Sequence, residues 1–180
     1  MSLEEKTIRS QPIFDGKVIR VQVDEVELPN GKKAIRELVK HSGAVSIMAI
    51  TNENKLVLVK QFRKPLEKTI LEIPAGKLEP GEHPLDCARR ELKEETGYSA
   101  QRLDPVVSFY TSPGFADEYL YLYEATGLTA GEEQPDQDEF VERIELTLDE
   151  AFNCVASGEI CDAKTIAALY IWQTRVLKGL

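Results

Sequence analysis

Residues 76–98 read GKLEPGEHPLDCARRELKEETGY, and this stretch decides the fold. Pro84 suits the first turn of a helix, Gly97 stands where a left-handed residue ends one, and Leu85, Ala88 and Leu92 recur at spacings of three and four. The pattern predicts a helix over 84–96 with an apolar stripe and a charged opposite face. Glu91 and Glu95 are four residues apart and Glu94 is three from Glu91, so three carboxylates crowd adjoining surfaces. Like charges so placed cost a few tenths of a kcal/mol per pair on an ordinary helix. A divalent cation turns the same crowding into a binding site, because hard cations take carboxylate oxygens. Arg90, four residues before Glu94, is expected to orient one carboxylate, and Gly76 lets the loop backbone approach an ion closely.

Upstream the chain reads as β structure. Residues 18–28 (VIRVQVDEVEL) alternate apolar and polar, and Pro29-Asn30-Gly31 turns them into a second strand over 33–40. Central strands are expected at 44–51 and 55–62, and a short one at 70–75 that Pro74-Ala75-Gly76 breaks into a loop. Downstream, strands are expected at 106–109, 118–124 and 140–146. They are separated by loops over 111–117 and 131–138. A helix over 148–157 stops at Gly158, and Asp162 caps a last one carrying Ile166, Leu169, Tyr170 and Trp172.

A chain of 180 residues is long enough to bury a sizeable core. Its net charge of −9 disfavours nucleic acid as a partner, since such binders carry a basic stripe. An anionic substrate remains compatible if divalent cations stand between carboxylates and phosphates. Cys87, Cys154 and Cys161 form no Cys-x-x-Cys pair and read as free thiols of a reducing compartment. The N-terminal residues are charged and no apolar run nears the roughly 20 residues of a membrane span. The expectation is a soluble, cytoplasmic protein with no membrane partner.

Counted from Gly76, the pattern is Gly-x5-Glu82-x7-Arg90-Glu91-Leu92-x-Glu94-Glu95-x-Gly97-Tyr98. It resembles the box of the Nudix hydrolase family at every specified position, a coincidence expected roughly once in a million sequences at average residue usage. The resemblance implies an α+β fold, the α/β/α Nudix sandwich, with an N-terminal antiparallel β-sheet appendage. It implies a division into 1–42, an N-terminal dimerisation region, and 43–180, the catalytic domain. It also implies Mg²⁺, with Mn²⁺ as an alternative ion, and cleavage of a diphosphate by metal-activated water. The Ala75 carbonyl is a further ligand by that likeness. An appendage too small to bury both faces favours a homodimer with exchanged N-terminal sheets, as in relatives.

Pro113 lies 16 residues after Gly97, within Thr111-Ser112-Pro113-Gly114-Phe115-Ala116-Asp117-Glu118. This loop resembles that of the ADP-ribose pyrophosphatase subgroup and brings Glu118 in as a substrate-binding residue. Gln61-Phe62-Arg63 and Arg36 match the subgroup's substrate arginines, the latter supplied by a partner subunit; a guanidinium fork grips two phosphate oxygens at once. Glu139 matches a metal-linked glutamate. Two positions earlier, where relatives often carry a candidate general base, stands Gln137. The base is then Asp136, Asp138, Glu139 or Glu94, or the ligated water ionises without one. Phe14 alone stands near the place of an adenine-stacking aromatic, and His41 and His83 read as strand-end and helix-entry residues.

The resulting expectation is hydrolysis of ADP-ribose to AMP and ribose 5-phosphate. Glu91 and Glu95 are the principal metal ligands, Ala75 and Glu139 assist, Glu94 supports, and Arg36, Arg63 and Glu118 hold substrate. The alternatives are another nucleoside diphosphate sugar or a dinucleotide as substrate, or a sensor that binds ADP-ribose without cleaving it.

Overall fold

A computed structural model describes residues 2–131 and 140–179. These divide between two compact units, one within Met1–Gly43 and Phe109–Leu120, the other within Ala44–Ser108 and Tyr121–Leu180.

The smaller unit carries the antiparallel sheet β1 (Lys6–Asp15), β2 (Ile19–Glu27) and β3 (Lys33–His41), in that order. Gly31, at φ 79°, makes the expected turn between β2 and β3. The first strand was not expected from the sequence. Its pairing with β2 shifts register between Thr7 and Arg9 and again between Pro12 and Phe14, so no period of two survives to be read. The loop after β8 also docks here: Val39 N–H donates to Phe115 O at 2.8 Å, and Asp117 N–H donates to Val39 O at 3.1 Å.

The larger unit is built on β4 (Ala44–Ala49), β5 (Leu56–Arg63), β6 (Lys68–Glu72) and β7 (Ala75–Lys77), followed by α1 (Pro84–Thr96). After it come β8 (Tyr98–Tyr110), β9 (Tyr119–Ala130), β10 (Val141–Leu146), α2 (Leu148–Ser157) and α3 (Ala163–Lys178). Two sheets run β7-β4-β9-β8 and β10-β5-β6. The single strand expected over 70–75 is two, split at Ile73-Pro74, with β6 paired to β5 and β7 to β4. The strand expected over 106–109 begins at Tyr98 instead. It is the edge of its sheet, where Pro105 costs no ladder bond and exposed residues blur the alternation.

Val45, Ile47 and Ala49 of β4, Val57, Tyr123 and Ala125 pack with Cys87, Ala88 and Leu92 of α1, and Leu85 packs against this cluster, so the stripe read from the sequence, Leu85, Ala88 and Leu92, faces the core with Cys87 added to it. Met48 alternates to the opposite face of β4 and is also fully buried. α3 buries Ala168, Leu169 and Trp172; Thr165 Oγ1 accepts from Ile73 N–H at 3.0 Å, and Arg175 pairs with Glu124. Sheets flanked by helices, with an N-terminal antiparallel sheet, give the expected α+β class. No described helix is long and apolar enough to cross a membrane.

Candidate active site

Local signals fix α1 at both ends. His83 is its N-cap, its Nδ1 accepting from Leu85 N–H at 3.3 Å, and Gly97 closes it at φ 71°. With the ends set, Glu91 and Glu95 fall on the same side as Cys87, Ala88 and Leu92. They are only 8 % and 3 % exposed, whereas the sequence placed them on a charged outer face. The difference has a steric origin. A Cβ at Gly76 would stand 1.8 Å from the Glu91 carboxyl carbon, so the glycine makes room for this carboxylate under the β7 backbone. Glu95 Oε2 accepts from Ala75 N–H at 3.0 Å, tying the same loop to the next turn of the helix.

Arg90 does more than orient one carboxylate. Its Nε and Nη2 each donate to Glu82 at 3.0 Å, while Nη1 donates to Glu91 at 2.7 Å and to Glu94 at 3.0 Å. The guanidinium holds the Glu82 carboxyl down to about 2, and Glu79 N–H assists by donating to it. Arg90 is itself raised by these partners, Glu82 foremost. Three like charges are thus spaced around one cation, which offsets the repulsion expected along the helix. Glu82 is part of the sequence pattern, but its place beside Arg90, eight residues on, was not read from it. The Cys87 thiol donates to Lys77 O at 3.4 Å, and burial pushes it up to about 12, so it is no nucleophile.

Arg63, at the end of β5, grips Glu72 of β6 with Nε at 2.5 Å and Nη2 at 2.9 Å. Lys164 of α3 donates to the same carboxylate. Burial pushes Glu72 up, but Arg63 and Lys164 outweigh it and hold the carboxyl below its ordinary value. Neither Glu72 nor Lys164 was singled out from the sequence, although a glutamate inside the apolar run 70–75 was a visible signal.

Arg36 and Glu118 belong to the smaller unit. Arg36 is held by Glu5 through Nε at 2.8 Å and Nη2 at 2.5 Å. Glu118 accepts from Thr111 Oγ1 at 2.5 Å and lies 3.8 Å from His41 Nδ1. That nitrogen already accepts from Gly43 N–H at 3.0 Å, so the longer contact is not a hydrogen bond. Asp117 anchors the loop on β3, accepting from His41 N–H at 2.8 Å and Lys40 Nζ at 2.9 Å.

Glu91, Glu94 and Glu95 therefore gather with Ala75, Arg90 and Glu82, and Arg63 lies near enough to feel the charge of Glu95. Glu139, with Asp136, Gln137 and Asp138, lies outside the described residues. Among the described residues, no three His, Cys, Asp or Glu side chains converge closely enough to cage a metal ion.

Residues 40–169 match the model of the NUDIX domain. The chain belongs to the Nudix family. In this Nudix chain residues 5–39 also match the nucleoside diphosphate sugar hydrolase N-terminal domain. It is 56 % identical over 172 residues to the methanol dehydrogenase activator of Bacillus methanolicus, covering 94 % of this chain and 93 % of the relative. It is 56 % identical over 176 residues to the ADP-ribose pyrophosphatase of Bacillus subtilis (strain 168), covering 97 % and 95 %. A solved ADP compounds hydrolase shares the fold, with a TM-score of 0.85 at 22 % identity over 99 % of this chain and 97 % of that one.

Proposed function

We propose that this Nudix chain hydrolyses ADP-ribose to AMP and ribose 5-phosphate with a divalent cation, Mg²⁺ or else Mn²⁺, as a cytoplasmic homodimer. The observation that carries the reading is the pair of buried carboxylates, Glu91 and Glu95, set one helical turn apart against Ala75 and Gly76. Two carboxylates held one turn apart repel, and a divalent cation between them turns that crowding into a binding site. The donors are oxygens only, as a hard divalent ion requires: Glu91 and Glu95 would hold it, and the family resemblance adds the Ala75 carbonyl. Glu139 is carried as an assisting ligand by the family resemblance. The likeness to the ADP-ribose pyrophosphatase of Bacillus subtilis supports the substrate.

When bound, the ion neutralises the diphosphate and lowers the pKa of a ligated water. The chain's own part is placement. Arg90 fixes Glu91 and Glu94 so that little reorganisation precedes reaction. The Arg63 guanidinium, and Arg36 reaching from the partner subunit, take the diphosphate oxygens, and Glu118 holds the substrate on its docked loop. In the overall step a water oxygen bonds to one phosphorus, the bridging P–O bond breaks, and the bridging oxygen leaves with the other phosphate. The water's proton passes to Glu94 or to an acid within 136–139.

Every residue of β1 is exposed in the single chain, Ile8, Ile13 and Phe14 included, which supports an N-terminal sheet that exchanges with a second copy. The reading is tested by measuring kcat/KM with and without Mg²⁺ for ADP-ribose, other nucleoside diphosphate sugars and dinucleotides. ADP-ribose should give the highest value, with AMP and ribose 5-phosphate as products and no turnover in chelator. A higher value for another compound moves the substrate assignment, and calorimetric binding of ADP-ribose without products makes the protein a sensor.

A further inference from the structure

Glu72 is 2 % exposed, and it is held from two sides by cations that belong to different elements, Arg63 of β5 and Lys164 of α3. Lys164 also donates to Asp162 Oδ1 at 2.9 Å, the atom that caps α3 by accepting from Thr165 N–H. The four side chains sum to zero formal charge. The frame around them is stitched by backbone: Leu71 N–H donates to Glu159 O at 2.9 Å and Ile73 N–H to Thr165 Oγ1 at 3.0 Å, so Glu72 sits on a strand fixed to the start of α3.

Arg63 spends Nε and Nη2 on Glu72 while its side chain stays 40 % exposed, which leaves the Nη1 edge of the fork available. Asp162 lies close enough for its charge to act on Arg63, and its Oδ2 is buried with no hydrogen-bond partner. That oxygen is a competitor for the same guanidinium. A buried carboxylate oxygen short of partners takes the nearest donor, and Lys164 donates to both acids at once, to Glu72 and to Asp162 Oδ1.

We propose that Lys164 is a positioning residue for diphosphate binding: by engaging Glu72 and Asp162 together, it holds Arg63 side-on to Glu72 and keeps the Nη1 edge free for a substrate phosphate. The inference rests on the reading of Arg63 as a substrate arginine. A lysine that only neutralised Glu72 would affect stability and leave the kinetics of Arg63 alone, so kinetics separate the two roles.

The test is steady-state kinetics of the full chain with ADP-ribose and Mg²⁺. K164M should raise KM about tenfold and hold kcat within about threefold, with an unchanged Mg²⁺ dependence. K164R should return KM to within about threefold of the parent, and so should D162N added to K164M, because the competing charge is gone. R63A should raise KM, and R63A/K164M should be no worse than R63A alone, since the lysine acts only through the arginine. An unchanged KM in K164M, or losses that multiply in R63A/K164M, overturns the inference. Should K164M not fold, K164M/D162N is read in its place, and a KM raised more than about threefold there overturns it equally. A parental KM in R63A sinks instead the substrate-arginine reading on which this rests.

Discussion

One hydrogen at position 76 separates a closed site from a broken one. An added Cβ there meets the Glu91 carboxyl carbon at 1.8 Å and its Oε1 at the same distance, and the carboxylate has no slack because Arg90 holds it at 2.7 Å. G76A is therefore expected to lower kcat/KM about a hundredfold, since displacement of a positioning group by about an ångström has that effect. The far-ultraviolet circular dichroism should stay parental; turnover within a few-fold of the parent would show that Glu91 is not needed where it lies. E95Q asks a cleaner question. The amide oxygen can still accept from Ala75 N–H, so the loop stays tied while the charge is lost. At least a hundredfold loss is expected, more than outer-shell substitutions of metal sites cause; parental turnover by the folded variant would falsify the assignment of Glu95. At this scale the sequence revealed most of what is contiguous. Glu91, Glu94, Glu95 and Arg90 share one helix and announce themselves by spacing. Lys164 and Glu72 are 92 residues apart, and no spacing rule connects them.

The helices were legible almost to the residue because their ends are set by neighbours in sequence: His83 and Gly97 for α1, the Thr147–Glu150 capping box and Gly158 for α2, Asp162 for α3. Strands depend on partners elsewhere, and the errors fell there, in β1 with its two register shifts and β8 with its edge proline. The burial of Glu91 and Glu95 was missed for the same reason, since it depends on β7 coming to lie across α1. The link between the loop and α1 has its own pH signature. Glu82 ordinarily titrates at 4.5 and here at about 2, so between those values the unfolded chain binds more protons than the folded one. Its contribution is complete above about pH 4.5 and disappears as pH falls toward 2, and Glu72, also lowered, adds in the same direction. Thermal melts of the parent from pH 6 to 2 should show Tm falling through this window, and E82Q should start lower and fall less steeply. Parallel curves would mean that the Glu82–Arg90 pair contributes no acid-sensitive stability.

At the scale of the whole molecule, the composition excluded more than it specified. A net charge of −9 argued against nucleic acid, but nothing in composition distinguishes a monomer from a pair. The smaller unit supplies that question. A three-stranded sheet whose first strand is wholly exposed, with Ile13 and Phe14 more than half so, is poorly covered by its own chain. Sedimentation equilibrium is expected to return twice the chain mass for the parent and the single mass for I13D/F14D. Whether Arg36 then serves its own site or its partner's is decided by mixing two inactive variants, R36A and E95Q, after dissociation and reassembly. If Arg36 acts across the dimer, each mixed dimer holds one site with both residues intact, the one whose Glu95 sits in the R36A chain and whose Arg36 comes from the E95Q chain. Statistical exchange makes half the dimers mixed, so about a quarter of the parental activity should return. If Arg36 acts within its own chain, no site in any dimer is complete, and the mixture stays as inactive as its parts.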